Sequence, residues 1–536
     1  MRNGAGIFVV LTLVCMLPLR VAGQDTLEAV RFNVERFEVI GDNPIGKRAV
    51  SVLAPFTGEQ YGLEGLSAAR DALERAIIDA GYTFHRVSLP PQDLFEGAVI
   101  LRVARFAIGR VSVEGNLYFD DANIRHSVPG LREGATPNTR RLSRSLKLAN
   151  QHASKSTLLR FAEGTGGDTI DAVLEVEDRD PQLFFVSLDN TGPEDGEIWR
   201  TTLGYQHGNL FNRDHSLTAT LTTAPEDPEV TTQFGVNYHL PLYAHGASID
   251  LLFSDADSAG ETGGGGDTGQ GIAPGTGGGQ ALEFTGEGTV FGFSYNRPLL
   301  TDGSYSHEWS VGLQHKNFDN TSEFDNAELS GADVISIPLE LAYAFERRTP
   351  DSSFYGRLAV VQEIGDDDEE YDDDRLEAES GWSALRYRLA YDLLLPAEYL
   401  FHIGFSGQQT DALLISGEQF GVGGDGTLRG FEERSVTGDS GYQLNLELWF
   451  PPFTAYNLRF LVFTDFAHTE FNDGELPGNE GVEFDLSSAG LGMFWSWKES
   501  LNVSLNYGVI TEGGGLDQSI NQDGDDKLHV NAVYRF

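Results

Sequence analysis

A chain of 536 residues with 37 Lys and Arg against 81 Asp and Glu carries a formal charge of −44, which excludes the basic footprint that nucleic acid requires. Its one cysteine, Cys15, lies in the amino-terminal apolar run, so no disulfide or thiolate metal centre is available to the rest of the chain. The length implies two or more domains, and no run of about 18 apolar residues follows that first one, so a membrane role survives only as a β-barrel.

Arg2 precedes an apolar run from Ile7 to Leu19, and Val21-Ala22-Gly23 supplies a small-residue cleavage pattern. Residues 1–23 are predicted to be a secretory signal peptide, with Gln24 the first mature residue. Cys15 follows Val14 rather than the small residue a lipidated cysteine needs. Loss of Arg2 and Arg20 leaves 35 basic against 81 acidic side chains, a charge of −46.

From residue 30 to about 180 the texture is α/β. Phe32–Ile40 reads as a strand. Leu66, Ala69, Leu73, Ile77 and Ala80 follow helical spacing, Gly81 ends that helix, Tyr82 opens a strand, and Gly97–Val103 forms another. A second unit repeats the theme, with a strand at Ile108–Val113, helical segments near Ala122–Val128 and Thr139–Gln151, and a strand at Thr169–Val176. The expected domains are residues 30–105 and 106–180, two copies of one β-α-α-β-β module.

Residues 183–536 alternate apolar and polar positions again and again, the signature of strands that face lipid on one side and a wet lumen on the other. Leu528, Val530, Ala532, Tyr534 and Phe536 share one face of the last segment, and His529, Asn531 and Arg535 share the other. Tyr442, Leu444, Leu446, Leu448 and Phe450 alternate with Gln443, Asn445, Glu447 and Trp449. Seven short connections, at Leu210–Asp214, Pro241–Gly246, Arg297–Ser304, Arg347–Ser352, Leu395–Glu398, Pro451–Tyr456 and Trp497–Ser500, are assigned to the periplasmic side. Longer polar loops lie between them, so the predicted fold class is α+β modules followed by an all-β transmembrane barrel of 16 strands. The Gly-rich loop Gly260–Gly279 and the acidic loop Gly365–Asp374 read as flexible, solvated extracellular segments.

The final third holds the candidate site. Leu458, Phe460, Val462 and Phe466 take the lipid phase, so Arg459, Leu461, Phe463 and Asp465 point inward. Asp465 is thereby placed to pair with Arg429, whose guanidinium fork suits a carboxylate. Gly421–Gly426 satisfies G-x-G-x-x-G, but no helix pattern follows, as a dinucleotide site would require. Asn521–Asp525 lacks the closing glutamate of a calcium loop. His307-Glu308 lacks a second histidine, and no catalytic motif is found, so catalytic residues, metal ligands and cofactors are all expected to be absent.

Several segments carry a family resemblance. Phe37–Asn43, Ala80-Gly81-Tyr82, and Leu89–Leu94 with its Pro91, Gln92 and Asp93, resemble the first polypeptide-transport-associated (POTRA) domain of two-partner secretion (TpsB-type) outer-membrane transporters. Ile108–Asn116 resembles the start of the second. Gly423–Phe431, with Leu428, Arg429, Gly430 and Phe431, resembles the tip of the loop that folds back into the barrel in that superfamily. Phe463-Thr464-Asp465-Phe466-Ala467 resembles the inward strand motif that receives it, with Ala467 where relatives often have glycine.

The resemblance implies periplasmic POTRA domains and a monomeric barrel among outer-membrane lipids. It implies a secreted TpsA-like adhesin or cytolysin as partner and no enzymatic activity. It makes Arg429 and Asp465 a gating or barrel-organising pair. Relatives often begin with a plug helix, whereas here only Gln24 to about Ala29 precede the first strand, so the pore is expected either to be closed by the loop alone or to leak. The alternative functions are a barrel-assembly insertase, which usually has more POTRA domains, and a passive porin or ligand receptor, which needs none.

Overall fold

The computed structural model describes residues 31–536 except 62, 95–96, 193–197, 227–231, 257–259, 263–281, 285–286, 300–303, 320, 325–326, 331–332, 367, 454–455, 473–480, 499 and 515–520. The segment expected to be a signal peptide and most of the Gly-rich loop therefore lie outside the described residues.

The first compact unit ends at Arg105. It runs β1 (Arg31–Val34), β2 (Arg36–Gly41), α1 (Arg48–Leu53), β3 (Gly58–Tyr61), α2 (Glu64–Asp79), β4 (His85–Ser88) and β5 (Ala98–Arg105). The sheet order is β2-β5-β4, with β2 parallel and β4 antiparallel to β5, and β1 pairs separately with β3. On α2 the residues at helical spacing, Leu66, Ala69, Leu73 and Ile77, are fully buried. The expected single strand over 32–40 breaks at Glu35, because the amides of Glu35 and Arg36 both donate to the Gly97 carbonyl and the chain changes partner there. The strand after α2 begins at His85 rather than Tyr82. The short strand β3 escaped the sequence reading because Gly58-Glu59-Gln60-Tyr61 carries no apolar alternation.

Gln92 explains part of the Pro-Gln-Asp stretch. Its side-chain amide donates to the Ile100 carbonyl at 2.8 Å and accepts from the Ile100 amide at 2.6 Å, extending the four-residue β4 along β5 as a mimic of one ladder pair. Pro91 and Asp93 are exposed. Gln92→Leu keeps the size and removes both partners of Ile100, at an expected cost of about 1–3 kcal/mol. Hydrogen exchange on the full chain should then speed up around residues 98–101, and unchanged exchange there would remove this role from Gln92.

The second unit opens with β6 (Ala107–Glu114), α3 (Asp121–Ser127), α4 (Thr139–Ala149), β7 (Lys155–Glu163) and β8 (Thr169–Asp178), in sheet order β6-β8-β7. Asp120 and Asn138 cap the two helices by accepting the Asn123 and Arg141 amides. Ile108, Phe119, Ile124, Leu142 and Leu174 lead its core. Strand β7 was missed because only Lys155 and Thr157 of its residues are buried.

Lys155 shows why a charge is buried at that strand start. Its ammonium donates to Asp214 at 2.6 Å and to Asn123 at 2.8 Å, Asn123 donates to Asp214 at 2.7 Å, and the Tyr243 hydroxyl donates to the same carboxylate at 2.6 Å. Lys155 and Asp214 side chains are both 0% exposed. Asp214 and Tyr243 belong to two tight barrel turns, so the cluster fastens the α/β module to the barrel base.

The barrel closes from sixteen antiparallel strands. In chain order these are Gln182–Asp189, Arg200–Leu210, His215–Thr223, Thr232–Leu242, Ala247–Ala256, Glu287–Pro298, Tyr305–Asp319 and Val334–Ser336 continued by Pro338–Arg348. The remaining eight are Ser352–Glu363, Ser383–Leu394, Leu400–Gln409, Ser440–Trp449, Leu458–Glu470, Glu483–Trp497, Leu501–Gly513 and Asp526–Arg535. The last strand returns to the first in register Arg535↔Phe185, and Phe184 and Phe536 exchange backbone bonds. Its outer face exposes a belt that includes Leu203, Phe291, Leu341, Leu358 and Leu491, an arrangement stable only where the surrounding solvent is hydrocarbon. Among the described residues no helix is long and apolar enough to cross a membrane.

The acidic loop departs from the solvated reading. Asp368–Asp374 forms a short helix whose Tyr371 is fully buried against Phe318, Trp382, Leu414 and Ile415. Asp368, Glu369, Asp372 and Asp373 are exposed while these apolar side chains build a small core over the barrel mouth. Tyr371 and Trp382, isolated in an acidic run, were the overlooked signal.

Candidate functional site

The longest described connection, 410–439, enters the barrel instead of leaving it. Its stem is a small hairpin, Phe420–Val422 paired with Val436–Gly438. At its tip Gly423, Gly424 and Gly430 take φ of +122°, +94° and +98°, a region that disfavours side chains. Thr427 ties the turn by accepting from the Gly423 amide and donating to the Gly423 carbonyl, at 2.9 and 2.6 Å. This bonding gives the G-x-G-x-x-G spacing a structural use in the tip of the loop.

Leu428 and Phe431 are both fully buried in a cluster with Val422, Val436, Ala467, Leu486 and Ile510. The last three belong to three consecutive wall strands, so apolar packing presses the tip onto one side of the lumen. Gly508 permits this approach: a Cβ there would stand 2.6 Å from the Gly430 nitrogen.

Between Leu428 and Phe431 the polar contacts converge on Arg429. Its Nε donates to Asp465 Oδ2 at 2.8 Å, its Nη2 to Oδ1 at 2.7 Å, and its backbone amide to Oδ2 at 3.1 Å. Its Nη1 donates to Glu447 Oε1 at 2.7 Å. The guanidinium carbon lies 3.6 Å from the centre of the Phe463 ring, a stacked cation–π contact. Asp465 is fully buried and Arg429 is 3% exposed. Asn445 bridges loop and wall, donating to the Thr427 carbonyl at 2.6 Å and to Asp465 at 2.9 Å. The Gly430 amide donates to His529 Nε2 at 3.0 Å, which requires that nitrogen to be unprotonated.

Sequence phase placed Glu447, Asn445 and His529 on the lumen face but could not assign them partners, because each meets the loop across the barrel rather than along the chain. Two further anchors went unrecognised. Glu418, fully buried, accepts from Lys316 at 2.7 Å and Arg386 at 3.0 Å. Asp439 accepts both Arg375 guanidinium nitrogens and the amides of Leu414 and Asn472. The loop is thus pinned at tip, stem and base. Ion pairs and apolar packing together hold it against the barrel wall. The Pro91-Gln92-Asp93 motif belongs to the other compact unit, where Gln92 serves the fold.

Comparison with known proteins gives the context. The family described as haemolysin secretion/activation protein ShlB/FhaC/HecB matches residues 168–493, and the ShlB-type POTRA domain matches residues 32–105. The chain is similar to the heme/hemopexin transporter protein HuxB of Haemophilus influenzae, 17% identical over 95% of this chain and 88% of that one. It is 29% identical to the outer membrane transporter CdiB-2 of Burkholderia pseudomallei over 26% of this chain and 24% of that one. In fold it resembles CdiB from Escherichia coli, with a TM-score of 0.69 at 16% identity over 97% of this chain and 94% of that one, and CdiB from Acinetobacter baumannii, with a TM-score of 0.67 at 16% identity over 95% and 91%.

Proposed function

The chain belongs to the haemolysin secretion/activation protein ShlB/FhaC/HecB family, outer-membrane β-barrel transporters with POTRA domains in the periplasm, and on that premise we propose that it exports one large adhesin-like or cytolysin-like exoprotein. We divide it into a signal peptide at 1–23, POTRA modules at 30–105 and 106–180, and a monomeric barrel at 183–536 among outer-membrane lipids.

The observation that carries this reading is the inward loop held by Arg429 on Asp465 and Glu447. A plug fixed by ion pairs and by packing against one wall can be displaced by a chain entering from below and can return afterwards. Arg429 and Asp465 are then the gating pair, and Leu428, Gly430, Phe431 and Phe463 shape the seat.

Cargo recognition follows from the POTRA sheets. An unfolded segment adds as a strand to an open edge, using its backbone for affinity. In the second module the outer side of β6 is already taken: Ile108 exchanges backbone bonds with Gly134 and Ala135, and the Val111 amide donates to Glu133. Apart from the Gly41 carbonyl, which accepts the Asn43 amide, the outer side of β2 takes no backbone partner among the described residues, so Arg36–Ile40 is the edge we assign to cargo. Folding of the exoprotein outside the cell supplies the direction of movement.

Quantitative proteomics of medium and outer membrane, with and without the gene, tests the proposal. Loss of one large protein from the medium with other barrels unchanged is the expected result. Broad depletion of barrels from the membrane would instead establish an insertase.

A further inference from the structure

The loop between β6 and α3 holds two large side chains in solvent on a rigid frame. Leu117 is 83% and Tyr118 54% exposed, while Phe119 beside them is buried in the module's core. One carboxylate orders the loop: Asp178 accepts the backbone amides of Leu117, Tyr118 and Phe119, each with a contact of 2.9 Å. Asn116 closes it by donating to the Phe119 carbonyl at 2.7 Å and to Asp121 at 3.2 Å. A loop so ordered cannot fold its apolar residues away, so their hydration is an unrelieved cost that a partner surface would remove.

The position of the loop selects the partner. Asp120, the next residue, accepts from the Asn212 side chain at 2.8 Å, which sets the loop beside the barrel turn 211–214. In that turn Phe211 is 76% exposed, and its ring lies 6.1 Å from His215, which bonds the Tyr238 hydroxyl at 2.6 Å. His215 shares its strand phase with the exposed Leu221, whereas Thr220 and Thr222 are buried on the lumen side. Phe211 and its ring partner therefore lie on the bilayer face.

We propose that Leu117 and Tyr118, continuing from Phe211, form a membrane anchor that dips into the periplasmic phospholipid leaflet and holds the second α/β module against it. A tyrosine, apolar in its ring and polar at its tip, suits the headgroup boundary. A passing exoprotein segment is the rival occupant, and it would leave the loop in water whenever cargo is absent.

The test places single nitroxide labels in a full chain lacking Cys15, at Leu117→Cys, Tyr118→Cys and, as reference, Asp168→Cys in the exposed turn between β7 and β8. The chain is reconstituted in phosphatidylethanolamine–phosphatidylglycerol vesicles. Labels at 117 and 118 are expected to meet a water-soluble nickel relaxation agent several-fold less than the label at 168, and dissolved oxygen more. Equal accessibility at the three positions overturns the anchor. So does protection that appears only when the exoprotein identified by the proteomic comparison is added, which would assign the loop to cargo.

Discussion

Arg429→Ala is expected to undock the inward loop and abolish export while the barrel still assembles. The substitution leaves Asp465, fully buried, and Glu447 beside it without their cation. Removing one partner of a buried pair costs about 3–5 kcal/mol, enough to shift a docked-to-undocked ratio on the order of a hundredfold or more. Apolar packing of Leu428 and Phe431 remains, so the tip is weakened rather than shed at once.

Arg429→Lys keeps the charge but loses the planar fork and the stack on Phe463, and an intermediate loss is expected. The double variant Arg429→Ala with Asp465→Asn removes both charges and should be less undocked than the two single changes summed. A cysteine at the exposed Gly426, where an added Cβ meets nothing within 4 Å, reports the result through its reaction rate with an aqueous maleimide, and exoprotein in the medium reports function. Unchanged labelling in Arg429→Ala would show that apolar packing alone seats the loop.

Lys155→Met is expected to loosen the second α/β module from the barrel base by a comparable amount, about 3–5 kcal/mol, because it strands Asp214 in a site with no exposure. Replacing both members, as Lys155→Met with Asp214→Leu, should recover much of the loss, since an apolar pair spares the desolvation of two charges. Hydrogen exchange in the turn 211–214 and cleavage near residues 150–155 by an added protease measure the docking. If the single variant leaves both unchanged, the fastening lies elsewhere in the interface.

The same cluster has a defined acid response. Burial opposes the Asp214 charge, yet Lys155, His152 and the Lys155 and Tyr243 hydrogen bonds outweigh it and hold the carboxyl below its ordinary range. A carboxyl depressed on folding contributes in full above its unfolded pKa and loses that contribution as pH falls through the folded value. The Asp214 contribution should therefore stay level through neutral pH and be lost only in acid below the ordinary aspartate range. Burial holds the His152 imidazole below its usual range, so it adds a loss of docking that begins as pH falls through the ordinary histidine range.

How much of this was legible beforehand depends on the range of each interaction. The outward phase of Leu528, Val530 and Tyr534, the inward phase of Asp465 and the helical face of Leu66, Leu73 and Ile77 follow from neighbours one to four residues apart, so periodicity carries them. The break at Glu35 and the helix around Tyr371 were not legible, because they depend on partners supplied by distant segments, Gly97 for the first and Phe318, Leu414 and Ile415 for the second; β7 was not, because only Lys155 and Thr157 of its residues are buried.

By itself, then, the sequence determined a barrel that is greased outside and wet inside, because lipid and lumen impose a period of two on every strand. It also singled out one arginine among glycines and one inward aspartate as the pair to watch. The tertiary structure alone decided that Arg429 is shared with Glu447, that Glu418 and Asp439 pin the loop lower down, and that Lys155 meets Asp214. Those partners stand 18 to 102 residues apart. Only closure of the barrel and docking of the module onto its turns bring such charges together and out of water, where an unpaired one could not be left.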